Sequence, residues 1–239
     1  MLGQVPPTRY DLRFQALGIP VRVHPVFWLT SAFLAWDPAG DLQKVFIRIL
    51  CIFVAILVHE LGHALVTRAF GWDSEIVLYF FGGYATSTRH STWKDIAVSA
   101  AGPAAGFALW GSLWGLVFYL RGQRWIGEQT TAAILTRDAI EFSLFINLVW
   151  NAMNLVPALP LDGGQICREL CLYFAPDKGM QTCLMISTLA AGGVAAWAVT
   201  ALVNKTGVLG LDPRFLAFMF GYLAFRSYQQ YDEARRGYW

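Results

Sequence analysis

The chain has 239 residues and a formal net charge of +2, with 56% of its residues hydrophobic and only 14% charged. So small and dispersed a charge gives no basis for a nucleic-acid partner, and so apolar a composition excludes an ordinary water-soluble domain. Long uncharged runs of Leu, Ala, Phe and Trp suggest that the bilayer itself covers much of the surface, and ten Trp and nine Tyr suit membrane-interface belts.

At the N-terminus, Pro6, Pro7 and Asp11 precede any apolar run, which is unlike a cleavable signal peptide. Insertion is then expected to depend on the spans that follow. Val23 to Trp36 is apolar but short of the usual crossing length. Val45 to Phe70 is long enough to cross, and is interrupted by Arg48 near one end and by His59, Glu60 and His63 deeper in. After it, Glu75 to Thr86 reads as two short β segments around a Gly82-Gly83 turn.

Ile96 to Leu120 carries no charged residue and matches a hydrocarbon core of about 30 Å. Phe142 to Leu161 and Met180 to Val203 follow as further spans, and Phe215 to Phe225 is a second short candidate. The expectation is an all-α polytopic membrane protein with about six transmembrane helices and a short β-hairpin-like insertion after the second apolar segment. No repeat or second soluble domain interrupts the chain, so residues 1–239 read as a single membrane-embedded domain.

Arg9, Arg13 and Arg22 at one end and Arg226, Arg235 and Arg236 at the other place both termini in the cytoplasm, with the cell membrane as the expected location. Arg121, Arg124 and Arg137 would then lie on the opposite side, against that bias. Cys51, Cys167, Cys171 and Cys183 have no disulfide-framework spacing and read as small apolar fillers, Cys167 and Cys171 making only a weak metal pair. His24 and His90 have no ligand-spaced partner and read as interfacial.

His59-Glu60-Leu61-Gly62-His63 places two histidines four apart, on one helix face, where both imidazoles can reach a single zinc ion. Glu60, one residue on, is positioned to take a proton from a water polarised by that metal and to pass it to a leaving amine. Chance alone produces such five-residue patterns in soluble proteins. Within an apolar helix, three titratable groups each cost several kcal/mol to bury without partners, and Val58, Leu61 and Ala64 offer none.

A catalytic zinc commonly takes three protein ligands, so a third must come from elsewhere in the chain. Asp162 is the candidate, in a stretch where Pro157, Pro160, Gly163 and Gly164 are expected to break a helix and turn the carboxylate into a protein-lined cavity. Spacing alone leaves open that Asp162 is a loop carboxylate near the membrane surface. Asn154 offers an amide donor for a substrate carbonyl or a developing oxyanion. Asn147 and Asn151, at helical spacing from it, would either line one polar stripe or bond across neighbouring helices.

Together, the 59–63 motif on one hydrophobic helix and Asn154-x-x-Pro157-x-x-Pro160-x-Asp162-Gly163 on a later one resemble the site-2 protease family, the intramembrane zinc metalloproteases. The resemblance covers a core of about residues 45–164, leaving 1–44 and 165–239 as outer segments. It implies one Zn2+ per chain held by His59, His63 and Asp162, Glu60 as general base, and a membrane-spanning protein substrate cut from a cytoplasm-facing site, with a regulatory membrane partner or prior trimming controlling access. Ala101-Gly102-Pro103-Ala104-Ala105-Gly106 also resembles a family element, but many members have Asn where this chain has Gly106, which favours a packing role there.

The hairpin has a use under this reading. A protease must hold its substrate extended, and Gly82, Gly83, Tyr84 and Ala85 would offer a strand edge to an unwound substrate. A tightly turned connector is the plainer alternative. Two other functions compete: a membrane HExxH hydrolase with other clients, expected to lack the Asp162 motif, and a metal-binding transporter or inactive scaffold, which would need the ligands but no Glu60.

Overall fold

The computed structural model describes residues 6–37, 39–80, 82–85, 91–121, 130–208 and 210–236. It divides into two compact units, Met1–Thr88 with Ala101–Asn151, and Arg89–Ala100 with Ala152–Trp239.

The first unit begins with a hairpin, β1 (Leu12–Ala16) and β2 (Ile19–Val23). Leu17 and Gly18 both adopt positive φ, 52° and 75°, as a two-residue primed turn requires. In β2, Ile19, Val21 and Val23 are buried while Pro20 is exposed, the period of two that puts one strand face into a core. β2 runs parallel to β3 (Ile76–Tyr79), with Val21 opposite Ile76 and Val23 opposite Leu78. β3 pairs antiparallel with β4 (Gly82–Ala85), so the sheet order is β1-β2-β3-β4 with β4 at an edge.

The expected hairpin is therefore present, with two corrections. Gly82 and Gly83 lie within β4 rather than in the turn, opposite Tyr79 and Leu78, while Phe80 takes the positive φ of 46°. The sheet also recruits two strands from the N-terminal segment, so an all-α description understates the fold.

His24 caps α1 (Pro25–Leu34), its Nδ1 accepting the Val26 N–H at 3.2 Å. Asp41 caps α2 (Leu42–Ala69) by accepting the N–H groups of Gln43 and Lys44. Ile52 and Ile56 of α2, Phe27 of α1 and the inward faces of β2 and β3 form one apolar core. α3 (Thr92–Arg121) and α4 (Thr131–Asn154) follow, the first unit holding α3 from Ala101 onward and α4 as far as Asn151.

The second unit contains the first turns of α3, then α5 (Asp162–Phe174), α6 (Gly179–Val203) and α7 (Pro213–Arg235). Ala191, Ala198 and Ala201 of α6 are buried in one cluster with Leu216 and Phe220 of α7, small residues on one helix admitting larger ones from the next. Gly179 starts α6 where a Cβ would overlap the Cys171 carbonyl, which keeps the turn from α5 tight.

Of the expected six spans, three meet the length and hydropathy of a crossing helix among the described residues: Leu42–Ala69, Thr92–Leu120 and Gly179–Val203. The segment from Val23 becomes the end of β2 and a ten-residue α1, about 15 Å of helix at 1.5 Å per residue. The expected span 142–161 is the second half of α4 plus a turn, and α4 carries Arg137, Asp138 and Glu141 in its first half. The segment 215–225 lies inside α7, whose last turns are polar.

Candidate metal centre

α2 places His59 and His63 one turn apart in the first unit, 2% and 8% exposed, with Glu60 between them at 5%. The two Nε2 atoms are 3.1 Å apart and the rings stand nearly perpendicular, at 81°. Two bare ring lone pairs at that separation repel; a proton or a cation between them removes the conflict. Nitrogens each 2.0–2.1 Å from one tetrahedral zinc ion sit roughly 3.3 Å apart. The pair of donors therefore fits such an ion.

The other nitrogen of His59 is already committed. Its Nδ1 lies 2.8 Å from Oδ1 of Asn151 on α4, both residues being buried. Asn151 is held in turn by its own Nδ2, which donates to the Asn147 carbonyl at 2.5 Å. With the amide nitrogen used there, Oδ1 faces the imidazole as an acceptor, so His59 carries its proton on Nδ1 and presents the Nε2 lone pair towards His63. Asn147 itself donates from Nδ2 to the Ser143 carbonyl at 2.9 Å. Of the two readings left open for Asn147 and Asn151, Asn151 does bond across to a neighbouring helix, and its partner is a metal-ligand candidate.

Close helix approach makes this possible. A Cβ on Gly62 of α2 would lie 2.8 Å from the Ala105 Cβ of α3 and would overlap the Ala101 carbonyl oxygen. On α3, a Cβ at Gly102 would overlap the His63 ring, and one at Gly106 would overlap the Asn151 amide. The packing role expected at Gly106 is thus met at the Asn151 side chain, and Gly102 packs in the same way against His63. Thr67 adds a hydrogen bond of 2.8 Å to the His63 carbonyl.

Asn154 and Asp162 belong to the second unit. Asn154 is the last residue of α4 and Asp162 the first of α5, and the turn between them contains a cis Leu159–Pro160 bond. That turn is held by hydrogen bonds from Val156 N–H to the Met153 carbonyl, Leu161 N–H to the Ala158 carbonyl, and Leu159 N–H to Ser187 Oγ on α6. Gly163 and Gly164 do not break a helix as expected. They form the first turn of α5, where a Cβ on Gly163 would overlap the Leu155 carbonyl and one on Gly164 would come within 2.5 Å of Ala158 C. Both glycines let the carboxylate-bearing turn rest directly on the 155–159 backbone.

Among the remaining candidates, Gly82, Gly83, Tyr84 and Ala85 form the edge strand, while Thr86 and His90 fall outside the described residues. The Cys167 and Cys171 sulfurs are 3.9 Å apart on α5, at thiol contact distance.

The model of peptidase family M50 matches residues 47–134 and 123–195. A protein of Synechocystis is 28% identical over 211 residues, covering 82% of this chain and 52% of that one. A zinc metalloprotease of Methanocaldococcus jannaschii is 28% identical over 67% of this chain and 45% of its own length. Stage IV sporulation protein FB of Bacillus subtilis is 28% identical over 69% of this chain and 51% of its own. The chain thus spans about half the length of these curated relatives. In fold it is similar to the site-2 protease from M. jannaschii, with a TM-score of 0.55, 24% identity, and coverage of 90% of this chain and 95% of that one.

Proposed function

The chain belongs to peptidase family M50, the site-2 protease family, and from that premise we propose that it is an integral-membrane zinc endopeptidase cutting membrane-spanning protein substrates in or near their transmembrane segments. The observation that carries this reading is the convergence of the His59 and His63 Nε2 atoms beside a buried Glu60, on a helix apolar enough to cross a bilayer. Titratable groups so placed are costly unless they have work to do.

In this reading His59, His63 and Asp162 hold the ion, a donor set of two imidazoles and one carboxylate that suits zinc. When bound, zinc supplies a Lewis acid that polarises a carbonyl and brings the pKa of a water down towards 7. Glu60 accepts the proton of the attacking water on its carboxylate and delivers it to the amine of the departing peptide. The Asn154 side-chain N–H groups donate to the substrate carbonyl oxygen as it gains negative charge. The edge of β4 holds the unwound substrate extended through backbone hydrogen bonds.

The same proposal extends to topology: a multi-pass protein of the cell membrane with both termini cytoplasmic, its access controlled by a membrane partner or by earlier trimming of the substrate. Reporter fusions at the two termini, read for cytoplasmic or external activity, test the orientation.

Activity is tested with Glu60→Gln. Replacing a carboxylate by its neutral isostere is expected to leave zinc content at one ion per chain while cleavage of single-span proteins ceases, seen as full-length proteins in the membrane proteome that are truncated with the unaltered chain. Cleavage that survives Glu60→Gln overturns the assignment of the base, and identical proteomes with and without the active chain overturn the protease.

A further inference from the structure

We propose that Asn151 is a positioning residue for the metal-binding imidazole of His59, and that Gly106 is the gap in α3 through which its amide reaches the ring. The proposal rests on the reading of His59 and His63 as zinc ligands, and it assigns a role to two residues outside that ligand set.

A buried asparagine between membrane helices ordinarily needs no more explanation than a hydrogen-bond partner. Here the partner and the direction of the bond are both informative. Asn151 Oδ1 is 2.8 Å from His59 Nδ1, whereas its Nδ2 is spent on the Asn147 carbonyl at 2.5 Å. An amide so anchored cannot flip to offer N–H to the ring without setting its own oxygen against the Asn147 carbonyl oxygen, two acceptors with no proton between them. It therefore holds the proton on Nδ1, fixes the rotation of the ring, and leaves Nε2 as the ligand atom, 3.1 Å from its counterpart on His63. Without that acceptor, the imidazole is free to take the other tautomer, which has no lone pair on Nε2.

Gly106 enters because the Asn151 amide occupies the volume that a side chain at 106 would fill: a Cβ there would overlap Nδ2, Oδ1 and Cγ of Asn151. The Asn151 amide and a side chain at position 106 thus exclude each other. An asparagine moved from α4 to α3, by pairing Gly106→Asn with Asn151→Gly, would put an amide back into the same space beside His59.

The test measures zinc affinity of the full chain in detergent, by competition with a chromophoric chelator, so that it reads the site without requiring turnover. Asn151→Leu keeps the branched outline of the side chain and removes the acceptor, and is expected to weaken zinc binding by about 10–100-fold, the usual cost of losing the partner of a ligating histidine. Asn151→Asp keeps an acceptor oxygen and should bind zinc far better than Asn151→Leu. Gly106→Asn alone should weaken binding, and the double variant should recover most of the loss from either single change. A purely structural role for Asn151 predicts no such rescue. Wild-type affinity in Asn151→Leu, or a double variant no better than its parents, overturns the proposal; so does a poorly folded Asn151→Leu whose Asn151→Asp counterpart folds but binds zinc equally weakly. His59→Ala separates the two levels: if zinc binding is unaffected by that change, the ligand assignment itself has failed.

Discussion

Gly102 of α3 faces the His63 imidazole so closely that a Cβ in its place would overlap Nε2 and Cε1 of the ring. The second histidine is therefore positioned by the absence of a side chain on the neighbouring helix, as the first is by the presence of one. Gly102→Ala forces either the ring off its rotamer or the helices apart, and neither keeps two Nε2 atoms 3.1 Å apart. Zinc affinity is expected to fall at least about tenfold, whereas Gly111→Ala on the same helix, with nothing within 4 Å of its added Cβ, should bind as the unaltered chain does. Equal affinity in the two variants would show that α3 does not constrain the ring.

Arg48 of α2 makes a two-pronged ion pair with Asp138 of α4, Nε to Oδ2 at 3.0 Å and Nη2 to Oδ1 at 2.5 Å, and it also reaches Asp37 at 3.4 Å. Its guanidinium lies 5.3 Å from the Phe142 ring centre. This cluster fixes the α4 helix that carries Asn151 against the α2 helix that carries His59. Because the Arg48 and Asp138 side chains are 19% and 16% exposed, the pair is partly screened, and Arg48→Ala is expected to cost about 2 kcal/mol rather than the full penalty of a deeply buried charge. Thermal unfolding in detergent measures it, and a double-mutant cycle with Asp138→Ala should return a coupling of at least ~1 kcal/mol. Additive losses would mean the two side chains act independently.

How much of this was legible in the sequence depends on which physical signal each element uses. α2, α3 and α6 are announced by long, predominantly apolar runs, and their observed limits, Leu42–Ala69, Thr92–Arg121 and Gly179–Val203, lie within a few residues of the expected ones. The N-terminal hairpin was not read, although Ile19, Val21 and Val23 alternate with Pro20 and Arg22 and the Leu17-Gly18 turn precedes them. Its fold depends on parallel pairing with β3, more than fifty residues on, which no local pattern encodes. Gly163-Gly164 reads locally as a helix breaker; the close packing of α5 on the 155–159 turn is what makes two glycines fit inside a helix. The HExxH histidines were explicit because their spacing is their chemistry. Asn151 was not separable from Asn147 on spacing, since both lie on one face of α4 and only the position of α2 shows which amide meets an imidazole.

Outside the apolar helices, Asp11 joins the N-terminal turn to β2. Burial alone would raise its carboxyl, but the Thr8 hydroxyl and backbone N–H together with the Arg22 guanidinium, 3.1 Å away, hold it down at about 2. A depressed folded-state value means that its stabilising effect is complete above the unfolded value of 3.8 and fades as pH falls from there towards 2. Hydrogen exchange of the β1 and β2 amides should thus be flat from neutral pH down to about pH 4, once corrected for intrinsic rates, and accelerate below it. Asp11→Asn should show the faster exchange already at neutral pH, without the acid step. An unchanged acid step in that variant would assign the transition to another group.

β4 pairs with β3 through the register Tyr79 to Gly82, Leu78 to Gly83, Val77 to Tyr84 and Ile76 to Ala85, and among the described residues it has no strand on its other side. Along a strand, successive backbone N–H groups point alternately to the two sides, so of Tyr84 and Ala85 one N–H serves β3 and the other points outward. Proline removes that N–H and nothing else as directly. If a substrate is held by adding a strand here, proline at the outward position should lower kcat/KM by about fivefold, roughly the worth of one net hydrogen bond, while zinc content and the melting temperature stay as they were. Proline at the inward position should instead lower the melting temperature through the lost β3 pairing. Side-chain truncation, Tyr84→Ala, should matter less than the outward proline, because backbone pairing is indifferent to sequence. Turnover that tolerates both prolines would sink the strand-addition model and leave the hairpin as a connector.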